Sequence, residues 1–200
     1  MPVKKIVTTK YVDDEDFEFV HEPVEDSLKI KRTRKGYEAR YLVVDTDAQQ
    51  PENDDNAFLV HYHRDFEVRR DGVVAKDELA DLYHGKEADI TEHYWIFWTA
   101  ALIHSGVWLK LSTGGFAEDP GGWDTSHCGA VLIAKEEWPT EDDARKYAEG
   151  IIEQWNQYLS GDVYGIVKET YNKEKEQFTE DACWGFYGRR WAEEALETEL

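Results

Sequence analysis

Seven histidines, two cysteines and a dense set of carboxylates hold whatever chemistry this chain can do. His61 and His63 stand two apart in a run, 58–68, that reads as a strand, so both rings point to one face and Asp65 continues it. Two imidazoles so placed are the beginning of a metal site, but a bound metal needs three or four converging ligands. No second ligand cluster accompanies them, and the plainer reading is a hydrogen-bonded sheet face. His104, Asp124, His127 and Cys128 are the raw materials of nucleophilic catalysis, in which a positioned imidazole activates a thiol. Order along the chain does not establish such a triad, and neither Ser105 nor Ser126 sits in a Gly-x-Ser-x-Gly turn. In the competing structural reading, Asp124 and Thr125 bond turn backbone, Cys128 packs in the core and the neighbouring glycines allow tight turns. The pairs Gly114-Gly115 and Gly121-Gly122 match neither a P-loop nor a dinucleotide fingerprint. No cofactor is implied.

The elements that must position these residues are mostly strands. Residues 28–33 and 37–44 flank Arg34-Lys35-Gly36 and read as a hairpin. A polar loop at 48–56 leads to the strand at 58–68, with a turn at 69–72. Residues 76–84 read as a short helix stopped by Gly85. The most apolar stretch, 94–111, has a front that periodicity alone leaves open between buried strand and short helix, and a back, 107–111, that alternates as a strand. A Gly-rich loop follows at 112–122, then a short buried strand at 130–134. The clearest element is a helix at 141–159. Thr140 and Asp143 resemble a capping box, three acids open its first turn, and Ala144, Tyr147, Ala148, Ile151, Ile152, Trp155, Tyr158 and Leu159 share one face. Gly161 ends it. Strands at 163–171 and 177–187 and a closing acidic helix at 189–196 complete the chain. The expected fold is α+β, an antiparallel sheet packed against one long amphipathic helix with smaller helices beside it. Residues 1–27 form an acidic N-terminal segment and residues 28–200 a single α+β domain.

Charge narrows the function more than any motif does. The chain carries 43 acids against 23 bases, a net charge of -20 over 200 residues. Such a field repels nucleic acid and anionic membranes and attracts basic surfaces, including those of nucleic-acid-binding proteins. Fourteen percent aromatic residues exclude a disordered acidic tail. The basic island at 28–45, net +4, reads as a solvated hairpin that pairs with the chain's own acids. Two cysteines are too few for a disulfide framework, though a single Cys128–Cys183 bridge stays open. Residues 1–10 lack the apolar core of a signal peptide, and no apolar run reaches membrane-spanning length. A soluble protein in the cytoplasm is expected.

One combination of motifs looks familiar. His104-Ser105-Gly106-Val107, Trp123-Asp124-Thr125 and Gly129-Ala130-Val131 are followed by 158–165, Tyr-Leu-Ser-Gly-Asp-Val-Tyr-Gly, and by Cys183-Trp184-Gly185-Phe186-Tyr187-Gly188. This arrangement resembles a family of small proteins carried by phages, plasmids and other mobile elements, mostly of unnamed function. The resemblance spans residues 94–188 and leaves the N-terminal part uncovered. Ser126-His127-Cys128 departs from the Gly or Gln that usually follows Trp-Asp-Ser. The resemblance implies a context, a host cell, and turn or packing roles for the motif residues, with one buried Cys. It implies no reaction.

Charge and context together lead to the first expectation: an acidic phage or mobile-element protein that blocks a basic, nucleic-acid-binding host protein, such as a defence enzyme, by imitating nucleic acid. It would bind neither nucleic acid nor membrane directly. Its carboxylates would be Asp142, Asp143, Glu149 and Glu153 along the long helix, with Asp13, Asp14, Glu15 and Asp16 as an annex. The second is a hydrolase or small-ligand-binding protein using the neighbourhood of His104, Asp124, His127 and Cys128, which requires those four to converge in one cleft. The third is an acidic structural or housekeeping protein, which requires acids spread evenly over every face.

Overall fold

The computed structural model describes residues 8–51, 54–70, 73–86 and 89–198. In chain order the elements are β1 (Thr8–Val12), β2 (Glu15–Phe19), β3 (Lys29–Thr33), β4 (Gly36–Val44), β5 (Ala57–His63), β6 (Phe66–Val68), α1 (Lys76–Tyr83) and α2 (Ile90–His93). Then follow β7 (Tyr94–Ile103), β8 (Val107–Leu111), β9 (Thr125–Ala134), α3 (Glu141–Ser160), β10 (Val163–Asn172), β11 (Gln177–Tyr187) and α4 (Arg189–Thr198). The protein is α+β and its described strand pairs are antiparallel.

Among the described residues the strands form three sheets rather than the one expected, and the chain divides into two compact units. One unit joins Met1–Gln49 to Gly161–Leu200, and the other is Gln50–Ser160. No boundary falls after residue 27. The physical reason is the β1–β2 hairpin, whose Phe17 and Phe19 are buried in one cluster with Tyr37, Tyr41 and Val167. The sequence hid this hairpin because acids interrupt its alternation. Its turn, Asp13-Asp14, has both residues at positive φ (50° and 65°), the two-residue geometry that Asn-Gly usually supplies.

In the first unit the sheet runs β11-β10-β4-β3. Period-2 alternation sends Tyr37, Ala39, Tyr41 and Val43 to the face that holds the hairpin's phenylalanines. Leu42 and Ile166, opposite each other in register, join Ala192 and Leu196 of α4 on the other face. Between β10 and β11 the register slips at Gly165, so Tyr164 faces Phe186 but Ile166 faces Cys183. This bulge re-aims Trp184.

In the second unit the sheet runs β6-β5-β9-β7-β8. The expected strand at 58–68 is two strands joined by a tight turn at Arg64-Asp65, and β9 begins at Thr125, earlier than expected. Residues 94–103 are strand throughout, preceded by the one-turn α2. Asp71 and Gly72, expected to close a turn, lie outside the described residues. Ala57 and Leu59 belong to a cluster with Phe97, Leu109, Val131 and the α3 residues Ala144, Ala148, Ile152 and Trp155. Phe58, Val60 and Tyr62 belong to a second cluster with Leu79 of α1 and Ile90 of α2. Burial on both faces explains why β5 is apolar almost without alternation. Asn156 fastens α3 to β8: its amide donates to the Leu109 carbonyl at 2.9 Å and its carbonyl accepts from the Leu109 N–H at 2.8 Å. Among the described residues, no helix is long and apolar enough to cross a membrane.

Candidate functional site

α3 begins where Thr140 and Asp143 meet. The Asp143 N–H donates to Thr140 Oγ1 at 3.3 Å, and the Thr140 hydroxyl donates to the Asp143 carboxylate at 2.7 Å. Asp143 thus serves the helix start, and it also lies 3.7 Å from Lys146. Glu141 pairs with Arg145 at 3.4 Å. Asp142, Glu149 and Glu153 differ: all three are exposed and make no ion pair among the described residues. Seven and four residues apart, they fall on one side of the helix, with Lys146 between the first two. The unit that carries them, 50–160, has 22 acids and 9 bases, net -13.

The annex in the first unit is less free. Asp13 and Asp14 form the hairpin tip, where Asp14 accepts from the Tyr11 hydroxyl at 3.3 Å. Glu15 bonds Arg32 at 3.3 Å, and Lys29 pairs with Glu197. The basic hairpin β3–β4 is therefore at least partly neutralised by acids of its own unit. Asp16 is exposed.

The four candidate catalytic residues separate into two pairs. His104 and Asp124 meet, Nδ1 to Oδ2, at 3.0 Å beside the β7–β8 turn, and the Ile103 N–H donates to the Asp124 carbonyl at 2.7 Å. The His104 side chain is largely in solvent and that of Asp124 is part-exposed, so the pair orients an imidazole without enclosing a substrate. His127 and Cys128 lie where the β7–β9 register slips between Thr99 and Ala101. They line a pocket of about 240 Å³ with Tyr62, Leu79, Tyr83 and Trp98, which His104 and Asp124 do not line. Cys128 is exposed, not packed in the core, and Cys183 is exposed as well, so neither is the buried Cys that the resemblance implies. Both are free thiols, so no bridge joins them.

Sequence reading missed Asp119. Its carboxylate accepts from Trp123 N–H (3.0 Å), Asp124 N–H (2.9 Å) and the Thr125 hydroxyl (2.7 Å). The Thr125 hydroxyl above all holds its pKa below the usual value. The Asp-Pro-Gly-Gly run that carries it is a turn signal.

His61 and His63 share a face of β5 as expected, but the β5–β6 hairpin uses both rings. His61 is completely buried with Nδ1 donating to the Phe66 carbonyl at 3.0 Å, and His63 Nδ1 accepts from Asp65 N–H at 3.2 Å. Burial lowers His61 to a pKa of about 4. Among the described residues, no three metal-ligating side chains converge.

No family model, curated protein or solved structure matches this chain. Its chemistry rests on its own geometry.

One further cluster had no signal in the sequence. Glu169 of β10 is completely buried, accepting from Val20 N–H at 3.1 Å and from the Tyr41 hydroxyl. Burial raises its pKa, against the pull of those two bonds. Directly across the ladder stands Glu180, whose Oε2 lies 3.1 Å from His21 Nε2. His21 in turn meets Trp184 edge to face, ring centres 5.7 Å apart. Each of these residues reads alone as an ordinary strand or loop residue, and they are gathered only when β10 pairs with β4 on one side and β11 on the other.

Proposed function

We propose that the chain is a non-enzymatic acidic inhibitor that occupies the nucleic-acid-binding groove of a basic host protein. The observation that carries the reading is the exposed, unpaired set Asp142, Glu149 and Glu153 on one side of a 20-residue helix, in a unit of net charge -13. In this reading the five-stranded sheet with the long helix packed on it is the scaffold that keeps the carboxylates at fixed spacing. At about 1.5 Å per residue the three stand roughly 10 and 6 Å apart along the axis. Those axial separations approximate three and two times the rise of about 3.4 Å per phosphate of one strand, measured along the duplex axis. Asp13, Asp14 and Asp16 are an annex of the other unit. The test is capture from nuclease-treated host lysate on the immobilised chain. The expected result is a basic nucleic-acid-binding protein that elutes as salt rises and is displaced by added duplex. Capture of nothing, or of a protein that duplex does not displace, would overturn the reading.

A second reading rests on the apolar pocket lined by His127 and Cys128. In it the pocket takes a small apolar ligand beside an accessible thiol. Its ligand would slow alkylation of Cys128 relative to Cys183. Equal labelling of both thiols at saturating ligand would count against it.

A further inference from the structure

A cleft of about 600 Å³ opens in the first unit beside the ends of β4 and β11. Its prominent wall is Trp184, a large aromatic left 44% exposed. The ring's position is built into the backbone. A Cβ added at Gly165 would fall 2.3, 2.6 and 2.8 Å from three adjacent ring carbons, so the indole lies face-on over that glycine. Gly185, at φ +84°, takes a conformation that other residues rarely adopt and completes the bulge. His21 packs against the indole and is itself held by Glu180. Tyr187 is fixed by its hydroxyl bond to the Gln49 carbonyl at 2.8 Å.

Asp45 and Asp47 line the cleft, no Lys or Arg is among its described lining residues, and the His21 imidazole there is already engaged by Glu180. Asp45 gives one oxygen to the Asp47 N–H at 3.2 Å, which leaves its second oxygen and the whole Asp47 carboxylate for a ligand. A held indole face beside carboxylates is the environment that recognises an organic cation. A planar one gains twice, by stacking on the ring and by paired N–H bonds to carboxylate, which a spherical ammonium cannot match.

We propose that this cleft is a guanidinium-binding site in which the cation stacks on Trp184 and donates to Asp45 and Asp47. The guanidinium belongs to a free arginine-like molecule or to an arginine side chain displayed by a polypeptide, and the site's chemistry is the same for both. The inference does not depend on α3 or on groove blocking.

The full chain is titrated with arginine amide, with the peptide Gly-Arg-Gly, and with citrulline amide as the neutral isostere. Affinity is read by calorimetry and the site by the indole N–H resonance of Trp184. The expected result is saturable binding of at least one guanidinium ligand with movement of that resonance, and none by citrulline amide. Binding of arginine amide identifies a small-molecule site, and binding of the peptide alone identifies a displayed arginine. W184A should weaken binding by roughly tenfold. The rim double variant D45N/D47N, which leaves the indole in place, should weaken it at least as much. Equal binding of citrulline amide, no binding by either guanidinium ligand, or unchanged affinity in the rim variant would overturn the proposal.

Discussion

Burial holds the Glu169 carboxyl above its ordinary pKa, and the bonds from Tyr41 and Val20 do not cancel that effect. The folded state therefore keeps this proton at a pH where the unfolded chain has released it. The resulting contribution is fully present below about pH 4.5, the unfolded value, and is lost as pH rises through the folded value. E169Q cannot titrate, so urea unfolding from pH 4.5 to 8 should show wild type losing stability relative to E169Q. A constant difference would contradict this. His61 works in the opposite direction. Its folded pKa of about 4 lies below the unfolded 6.5, so stability is lost as pH falls between those values, by roughly 3 kcal/mol in all. In H61N the acid limb of unfolding free energy against pH should be shallower by about one proton, whatever the variant's baseline stability. The sequence showed that His61 and His63 share a face, because strand periodicity is local. It did not show that one is fully buried and the other is not, since burial depends on what covers the sheet. Glu169 was equally hidden: an acid between Lys168 and Thr170 looks solvent-facing until Tyr41 and Val20 are brought to it.

Two fastenings of α3 differ in kind and should differ in cost. Thr140 satisfies an exposed N–H that water would otherwise reach, so T140A should cost about 1 kcal/mol. Asn156 satisfies both backbone groups of the buried Leu109, and N156A strands them away from water, so its cost should be about 3 kcal/mol. Chemical denaturation of the two variants tests the order, and a larger loss in T140A would contradict the account. The helix at 141–159 was legible because its period, cap and stop are encoded within twenty residues. The strands at 163–172 and 177–187 were legible for the same local reason. What was not legible depends on partners. The bulge that places Trp184 over Gly165 exists only once β10 meets β11, and the one that places His127 and Cys128 only once β9 meets β7. The β1–β2 hairpin escaped because Asp-Asp, rather than Asn-Gly, takes its left-handed turn.

At the scale of the molecule, the net charge of -20 is divided unevenly, -13 on residues 50–160 and -7 on the rest. The less acidic unit is the one in which basic residues of β3 bond to acids elsewhere in that unit, Arg32 to Glu15 and Lys29 to Glu197. The total was plain in the sequence, whereas the division into two units was not, because the chain leaves the first unit at residue 49 and returns to it at 161. Complexes of this protein with a basic partner should weaken steeply with salt, since their attraction is between exposed charges. The most direct measurement is displacement of labelled duplex from the captured host protein, by wild type and by D142N/E149Q/E153Q, across a range of ionic strength. Wild type should displace duplex at low salt, the triple variant should be weaker by tenfold or more, and the gap should close as salt rises. Equal displacement by the two chains, or a gap indifferent to salt, would contradict the account.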